Sequence, residues 1–361
     1  MGDYNTEEAI LGLSAIDPEV TQLLKNATPQ TGEPPSIEQI RQNMADSERQ
    51  RYEAGPTFGV PESVMTIPMR DGHESGIRVF KPATPPASGS PLVALFFGGG
   101  FVTGSNLQLA PVARIAAALY GATAVTLSYR RAPEHKFPTA PNDAWDSVKW
   151  LAENASSLGA DPSVGFVLGG ISAGGCLSIV TAQRAMKEKL ASPLTGLWAC
   201  IPVTLESDLV PDAYKHMWHS RTQNENAPGL DGKAIGHIRA LYKPDTASED
   251  YSPFNSELGF SGLPPTYVQV CGLDPLRDDG LIYERALRDQ GVPTKLDVYP
   301  GVPHAHFGAF PQLKQSKKFR ADTTAEMGWL LGRQPDGELM KQIAAAETAS
   351  PAEPSLKTAN A

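Results

Sequence analysis

Val164-Gly165-Phe166-Val167-Leu168-Gly169-Gly170-Ile171-Ser172-Ala173-Gly174-Gly175 is the stretch whose reading decides the fold. A short apolar run, too short for a helix, ends in paired glycines. Ser172 follows between Gly170 and Gly174, and Cys176 to Ala182 can continue as a helix. Strand, tight turn and helix are the context that a G-x-S-x-G elbow requires. Small neighbours let strand and helix approach closely, and the turn holds the serine in an unfavourable backbone conformation. The hydroxyl is thereby lifted clear of the sheet at a helix N-terminus, where free N–H groups favour developing negative charge.

A glycine-rich turn around an ordinary serine has the same pattern, so the rest of the chain must decide. A serine hydroxyl needs a base, and the base needs an orienting carboxylate. In open parallel sheets such groups sit at the carboxyl ends of strands. Two strands after the elbow supply them. Thr266 to Cys271 ends at Gly272-Leu273-Asp274-Pro275-Leu276-Arg277-Asp278, and Lys295 to Tyr299 is followed by Pro300-Gly301-Val302-Pro303-His304-Ala305-His306. The order Ser, Asp, His is one that nucleophile-elbow hydrolases use. Asp274 is preferred as the acid because it directly follows its strand, whereas Asp278 and Asp279 fall where they can cap the next helix. His304 and His306 both remain candidates for the base. Phe97-Gly98-Gly99-Gly100-Phe101 ends another buried strand, and its glycines can bring backbone N–H groups up to an oxyanion together with the N–H of Ala173.

Read in order, residues 1–60 form an N-terminal helical segment, with helices opening at Asp17-Pro18-Glu19 and at Ser36. It serves either as a lid or as a packing extension. A β-hairpin over Glu62 to Lys81 begins the main domain, residues 61–333. Strands at Leu92–Phe97, Ala122–Tyr129, Val164–Gly169 and Thr195–Val203 alternate with helices at Leu109–Tyr120 and Asn142–Asn154. This alternation implies an α/β fold with a mainly parallel central sheet flanked by helices. Residues about 205–260 break the rhythm and read as a helical insertion over the strand ends. The sheet resumes at Thr266, helices follow at Gly280–Gln290 and Thr323–Leu331, and residues 334–361 read as a disordered tail.

Together the motifs resemble the hormone-sensitive-lipase-like branch of the α/β-hydrolases, which includes arylacetamide-deacetylase-like carboxylesterases. The resemblance spans about residues 60–332 and rests on Phe97-Gly98-Gly99-Gly100-Phe101, Tyr129-Arg130-Arg131-Ala132-Pro133-Glu134 with Phe137-Pro138, Gly170 to Gly175, Asp274 to Asp278, and Pro303-His304. It implies an α/β-hydrolase fold with Ser172 as nucleophile, His304 as base and Asp274 as the orienting acid. It also implies an oxyanion hole from Gly99, Gly100 and Ala173, and a helical cap from the N-terminus and the 205–260 insertion. Phe97, Gly98, Phe101, Ile171 and His306 are the further candidates for substrate contact. The chain departs from the family at Phe97, where a loop-bracing histidine is usual, and at Ile171, where an aspartate is usual.

The expected function is ester hydrolysis through an acyl-enzyme. The alternatives are a biosynthetic acyl-transfer, release or cyclisation enzyme on the same fold, and a non-catalytic small-molecule receptor. The chain has 361 residues, 41% of them hydrophobic and 20% charged, with a net charge of −9. That balance suits a soluble acidic protein and argues against nucleic acid. No basic, apolar leader and no apolar run of membrane-spanning length is present, and the three cysteines read as reduced core residues, so a cytoplasmic location is expected. No cofactor is expected: the glycine clusters lack dinucleotide-site spacing. No metal is expected either, because His216 and His219 have no acidic partners nearby. The partner is a small ester or acyl substrate, with monomer and dimer both open.

Overall fold

The computed structural model describes residues 4–25, 35–335 and 337–349. Three helices, α1 (Glu7–Gly12), α2 (Pro18–Lys25) and α3 (Ile37–Ala54), precede the hairpin of β1 (Glu62–Pro68) and β2 (Glu74–Phe80). Then come β3 (Leu92–Phe96), α4 (Ala110–Tyr120), β4 (Thr123–Leu127), α5 (Thr139–Asn154), β5 (Phe166–Ile171), α6 (Ala173–Lys187) and β6 (Gly196–Cys200). The insertion contains short 3₁₀ turns, α7 (Ser220–Gln223) and α8 (Gly232–Tyr242). The chain continues through β7 (Thr266–Leu273), α9 (Arg277–Asp289), β8 (Thr294–Pro303), α10 (His306–Ala309), α11 (Lys314–Leu331) and α12 (Gly337–Ala349).

The eight strands form one sheet in the order β1-β2-β4-β3-β5-β6-β7-β8. Only the β1–β2 and β2–β4 pairings are antiparallel. From β4 to β8 every neighbour is parallel, as the alternation of strands and helices requires. Side chains of a strand point alternately to the two faces, and here both faces are covered. Leu92, Ala94 and Phe96 of β3 join one apolar cluster, and Val93 and Leu95 join the other. The same split separates Leu197 and Ala199 of β6 from Trp198 and Cys200. This is why the central strands read as unbroken apolar runs. Burying each such Val, Leu or Phe side chain contributes roughly 1.5–3 kcal/mol.

The hairpin closes on Gly72, whose φ is +83°, with the Met69 N–H donating to His73 O at 2.8 Å. β1 is the sheet edge and carries Pro68, where a missing N–H costs no ladder bond.

The tail departs from expectation. Residues 337–349 form α12, because Leu339 and Met340 pack against the second cluster and Ile343 is buried within it. Residues 350–361 lie outside the described residues. Two further helical stretches had weak periodic signals: α1, and the polar first half of α11. All three cysteines are buried and free. No helix among the described residues is long and apolar enough to cross a membrane.

The N-terminal segment bears on the carboxyl end of the sheet. Leu13 O accepts the Gly301 N–H at 2.8 Å, the Asp17 N–H donates to Gly301 O at 3.0 Å, and Ser14 Oγ donates to Gly272 O at 3.2 Å. The approach is so close that a Cβ on Gly272 would lie 2.2 Å from Leu13 O. Residues 13–17 thus lie across the ends of β7 and β8.

Candidate active site

The elbow is built as its glycines require. β5 ends at Ile171, and Ser172 has φ 55° and ψ −116°, a conformation that L-residues avoid unless the surroundings impose it. The Ser172 N–H donates to Cys200 O of β6 at 2.8 Å, and Ser172 O accepts the Cys176 N–H at 3.0 Å, starting α6. A Cβ on Gly174 would fall 2.2 Å from Phe96 O, and one on Gly170 would fall 2.3 Å from Gly174 O. Only glycine lets α6 lie this close to β3 and β5.

Three groups from distant strands meet at this turn. His304 Nε2 lies 3.0 Å from Ser172 Oγ, and His304 Nδ1 lies 2.6 Å from Asp274 Oδ2. Asp274 is fully buried, and its Oδ1 accepts the Leu276 N–H at 2.8 Å. Asn224 of the insertion donates through Nδ2 to Asp274 O at 2.9 Å and to Gly272 O at 3.2 Å. The acid is therefore held from its own loop and from above. Ser172 is 8% exposed.

His306 is not part of this group. Ala305 adopts φ 55°, which turns the chain so that successive histidines face apart. The His306 ring is buried among Tyr299, Phe307 and Phe319, and its Nδ1 lies 2.8 Å from Ser316 Oγ. Burial pushes its pKa down to about 3, so the ring is neutral at ordinary pH. Of the two histidines, it is His304 that lies beside Ser172 and Asp274, while His306 packs among aromatic rings.

Asp278 and Asp279 do more than cap α9. Asp278 Oδ2 accepts the N–H groups of His219 and Ser220, each at 2.6 Å. Asp279 Oδ1 accepts the N–H groups of Thr204 and Leu205 and a bond from Arg221, at 2.9, 3.1 and 3.1 Å. The pair fastens the 205–260 insertion to the sheet.

The glycine loop lies against the serine: a Cβ on Gly98 would be 2.8 Å from Ile171 O and 3.2 Å from Ser172 Cβ. Gly99 and Gly100 have φ +128° and +61°, and Phe101 has +63°. The Gly98 N–H donates to Gln108 Oε1 at 2.7 Å. Among the described residues, the N–H groups of Gly99, Gly100 and Ala173 have no hydrogen-bond acceptor. Three unpaired donors beside the Ser172 hydroxyl can hold an anion.

The Tyr129–Glu134 motif buttresses this loop. Tyr129 Oη donates to Phe97 O at 3.0 Å, Arg131 donates to Gly104 O at 2.7 Å, and the ring of Phe97 stacks on Tyr129 with centroids 4.2 Å apart. Phe97 is buried in that stack, and Ile171 belongs to the apolar cluster on the opposite face of the sheet. Phe101 stacks on Tyr242 of α8 at 4.1 Å, and Ile238 of α8 lies over Gly100, whose Cβ would meet it at 2.8 Å. α8 is thus placed to shape whatever enters the loop.

The thiol on the elbow's own helix is not poised as a nucleophile. Cys176 is buried, donates to Tyr251 O at 3.3 Å and has its pKa pushed up to about 12 by burial. The His219 ring lies 2.9 Å from His216 O, and among the described residues no group of three His, Cys, Asp or Glu side chains is placed to hold a metal. Sequence reasoning missed Asn224 and Gln108, since single polar residues in irregular segments carry no periodic signal.

A family model described as alpha/beta hydrolase fold matches residues 93–308. An α/β-hydrolase superfamily protein of Schizosaccharomyces pombe is 36% identical over 320 residues, covering 88% of this chain and 94% of its own. Esterase LipI of Mycobacterium tuberculosis is 32% identical over 299 residues, 81% of this chain and 88% of its own. The crystal structure of vibralactone cyclase superposes with a TM-score of 0.81 at 32% identity, covering 89% of this chain and 96% of that one.

Proposed function

The chain belongs to the α/β-hydrolase family, in its hormone-sensitive-lipase-like branch, and on that premise we propose that it is a serine carboxylesterase acting on small esters. The observation that carries this reading is the single line of contacts from Ser172 Oγ through His304 to Asp274, at 3.0 and 2.6 Å.

His304 Nε2 takes the hydroxyl proton as Ser172 Oγ bonds to the ester carbonyl carbon. The carbonyl oxygen becomes an anion held by the N–H groups of Gly99, Gly100 and Ala173. Asp274 keeps the Nδ1 proton in place and stabilises the imidazolium, which then protonates the departing alcohol. Water repeats the sequence on the acyl-serine, releasing the acid and restoring the hydroxyl. Residues 13–17, α3 and the 205–260 insertion act as a cap over these groups. The test is labelling by a fluorophosphonate together with hydrolysis of p-nitrophenyl acetate and butyrate. Wild type is expected to show both and Ser172→Ala neither. Unchanged hydrolysis by Ser172→Ala would refute the mechanism.

The likeness to vibralactone cyclase favours a second reading, in which the acyl-enzyme is resolved by a nucleophile other than water. Labelling of Ser172 alongside negligible turnover of simple esters would select it. No labelling at all would select a non-catalytic binding role.

A further inference from the structure

α3 is a strongly polar helix, and the residue it buries is a carboxylate, Glu48, only 2% exposed. A helix packed on a core ordinarily buries apolar residues, since a carboxylate taken out of water costs several kcal/mol unless its oxygens are satisfied. Burial raises the pKa of Glu48, opposed by hydrogen bonds from Ser105 and Gln108 and by the nearby Arg51 and Arg131. Ser105 Oγ donates to one carboxylate oxygen at 2.5 Å, and Gln108 Nε2 lies 3.5 Å from the other. The opposite end of the same Gln108 amide accepts the Gly98 N–H.

A glutamine side chain has one accepting end and one donating end. Glu48 accepts from Ser105 through one carboxylate oxygen and faces the Gln108 NH₂ with the other, which leaves Oε1 facing Gly98. The reverse orientation would set two donors against each other at Gly98 and two acceptors at Glu48. With Gly98 tied back, the next two N–H groups, those of Gly99 and Gly100, are left free. The side chain at position 97 supplies no such brace, because Phe97 is occupied in its stack with Tyr129.

We infer that Glu48 and Gln108 are positioning residues for the oxyanion loop, Glu48 acting through Gln108 to hold Gly98–Gly100. Arg41 fixes the same helix to this region, its guanidinium donating to Val102 O at 2.7 Å and to Ala132 O at 2.5 Å. Docking of α3 thereby becomes a condition of turnover. The inference rests on the serine-esterase reading.

Gln108→Leu and Gln108→Met remove the acceptor at similar volume, and Glu48→Gln replaces one of the two accepting oxygens with an NH₂ group. With p-nitrophenyl butyrate, both Gln108 variants are expected to lose roughly ten- to a hundredfold in kcat, below the full loss of an oxyanion donor. KM is expected to stay within about twofold, and Ser172 labelling to slow in proportion to kcat. Glu48→Gln is expected to be intermediate and to add little in the Gln108→Leu background, because both act through one contact. Folded variants with wild-type kcat, or losses that multiply fully in the double variant, would overturn the inference. A wild type that neither hydrolyses esters nor labels at Ser172 would overturn the esterase reading and this inference with it. An active wild type with unaffected variants would sink the brace alone.

Discussion

Replacing Asp274 with asparagine exchanges one oxygen for an NH₂ group and leaves shape and volume almost unchanged. Which way the new amide points is dictated by Leu276, whose N–H needs the acceptor now supplied by Oδ1 at 2.8 Å. The asparagine oxygen must take that place, so its NH₂ faces His304 Nδ1 across the present 2.6 Å contact. Nδ1 then has to accept, and the ring proton moves to Nε2, the atom that must receive the proton of Ser172. The nucleophile loses its base although every residue remains in place. For a buried acid in this role the expected fall in kcat is about 10⁴-fold, or about 5.5 kcal/mol at ~1.36 kcal/mol per tenfold. KM and the unfolding midpoint should move little. Spectrophotometric hydrolysis of p-nitrophenyl acetate near neutral pH, with active sites counted by burst titration, gives the number. Activity within tenfold of wild type would refute the assignment of Asp274.

His306→Asn should keep at least a tenth of wild-type activity, whereas His304→Asn should lose nearly all, as measured in the same assay. The His306 variant should also change acid stability. The ring is held near pKa 3 against an unfolded value near 6.5, so the native state binds fewer protons between those limits. Its contribution is complete above about pH 6.5 and fades as pH falls towards 3, at up to about 1.4 kcal/mol per pH unit. Urea unfolding at pH 7 and pH 4.5 should show a smaller pH dependence in His306→Asn, and an unchanged dependence would count against it. Gly174→Ala places a methyl group within 2.4 Å of the carbonyl oxygens of Phe96 and Phe97, which must force α6 away from β3. Such overpacking costs about 1–3 kcal/mol, so urea stability and kcat should fall together; full activity at wild-type stability would show that the contact yields easily.

The sheet was legible because its central strands are buried on both faces and therefore read as uninterrupted apolar runs. The elbow was legible because two backbones meeting at Gly170 and Gly174 exclude every other side chain. Asp274 could be placed since it directly follows its strand. The two histidines could not be separated by spacing, because the decision belongs to one left-handed residue, Ala305, whose conformation leaves no mark on composition. Asp278 and Asp279 resemble dipole partners of their own helix, yet they bind backbone N–H groups about sixty to seventy-five positions away. Glu48 escaped for a similar reason: an acid on a polar helix looks solvated until the docked surface is known. α12 escaped because a few apolar contacts outweigh an Ala- and Glu-rich composition that reads as unstructured.

The strip at Leu13 to Asp17 has a consequence for how this protein matures. It is made early, but its seat on Gly272 and Gly301 is made late, with 258 positions separating Ser14 from its partner. On a ribosome it waits without a dock while the whole parallel core emerges. The turns bearing Asp274 and His304 stay uncovered until this earlier-made strip returns to them, so the contacts among Ser172, Asp274 and His304 are completed only after both distant strands have emerged.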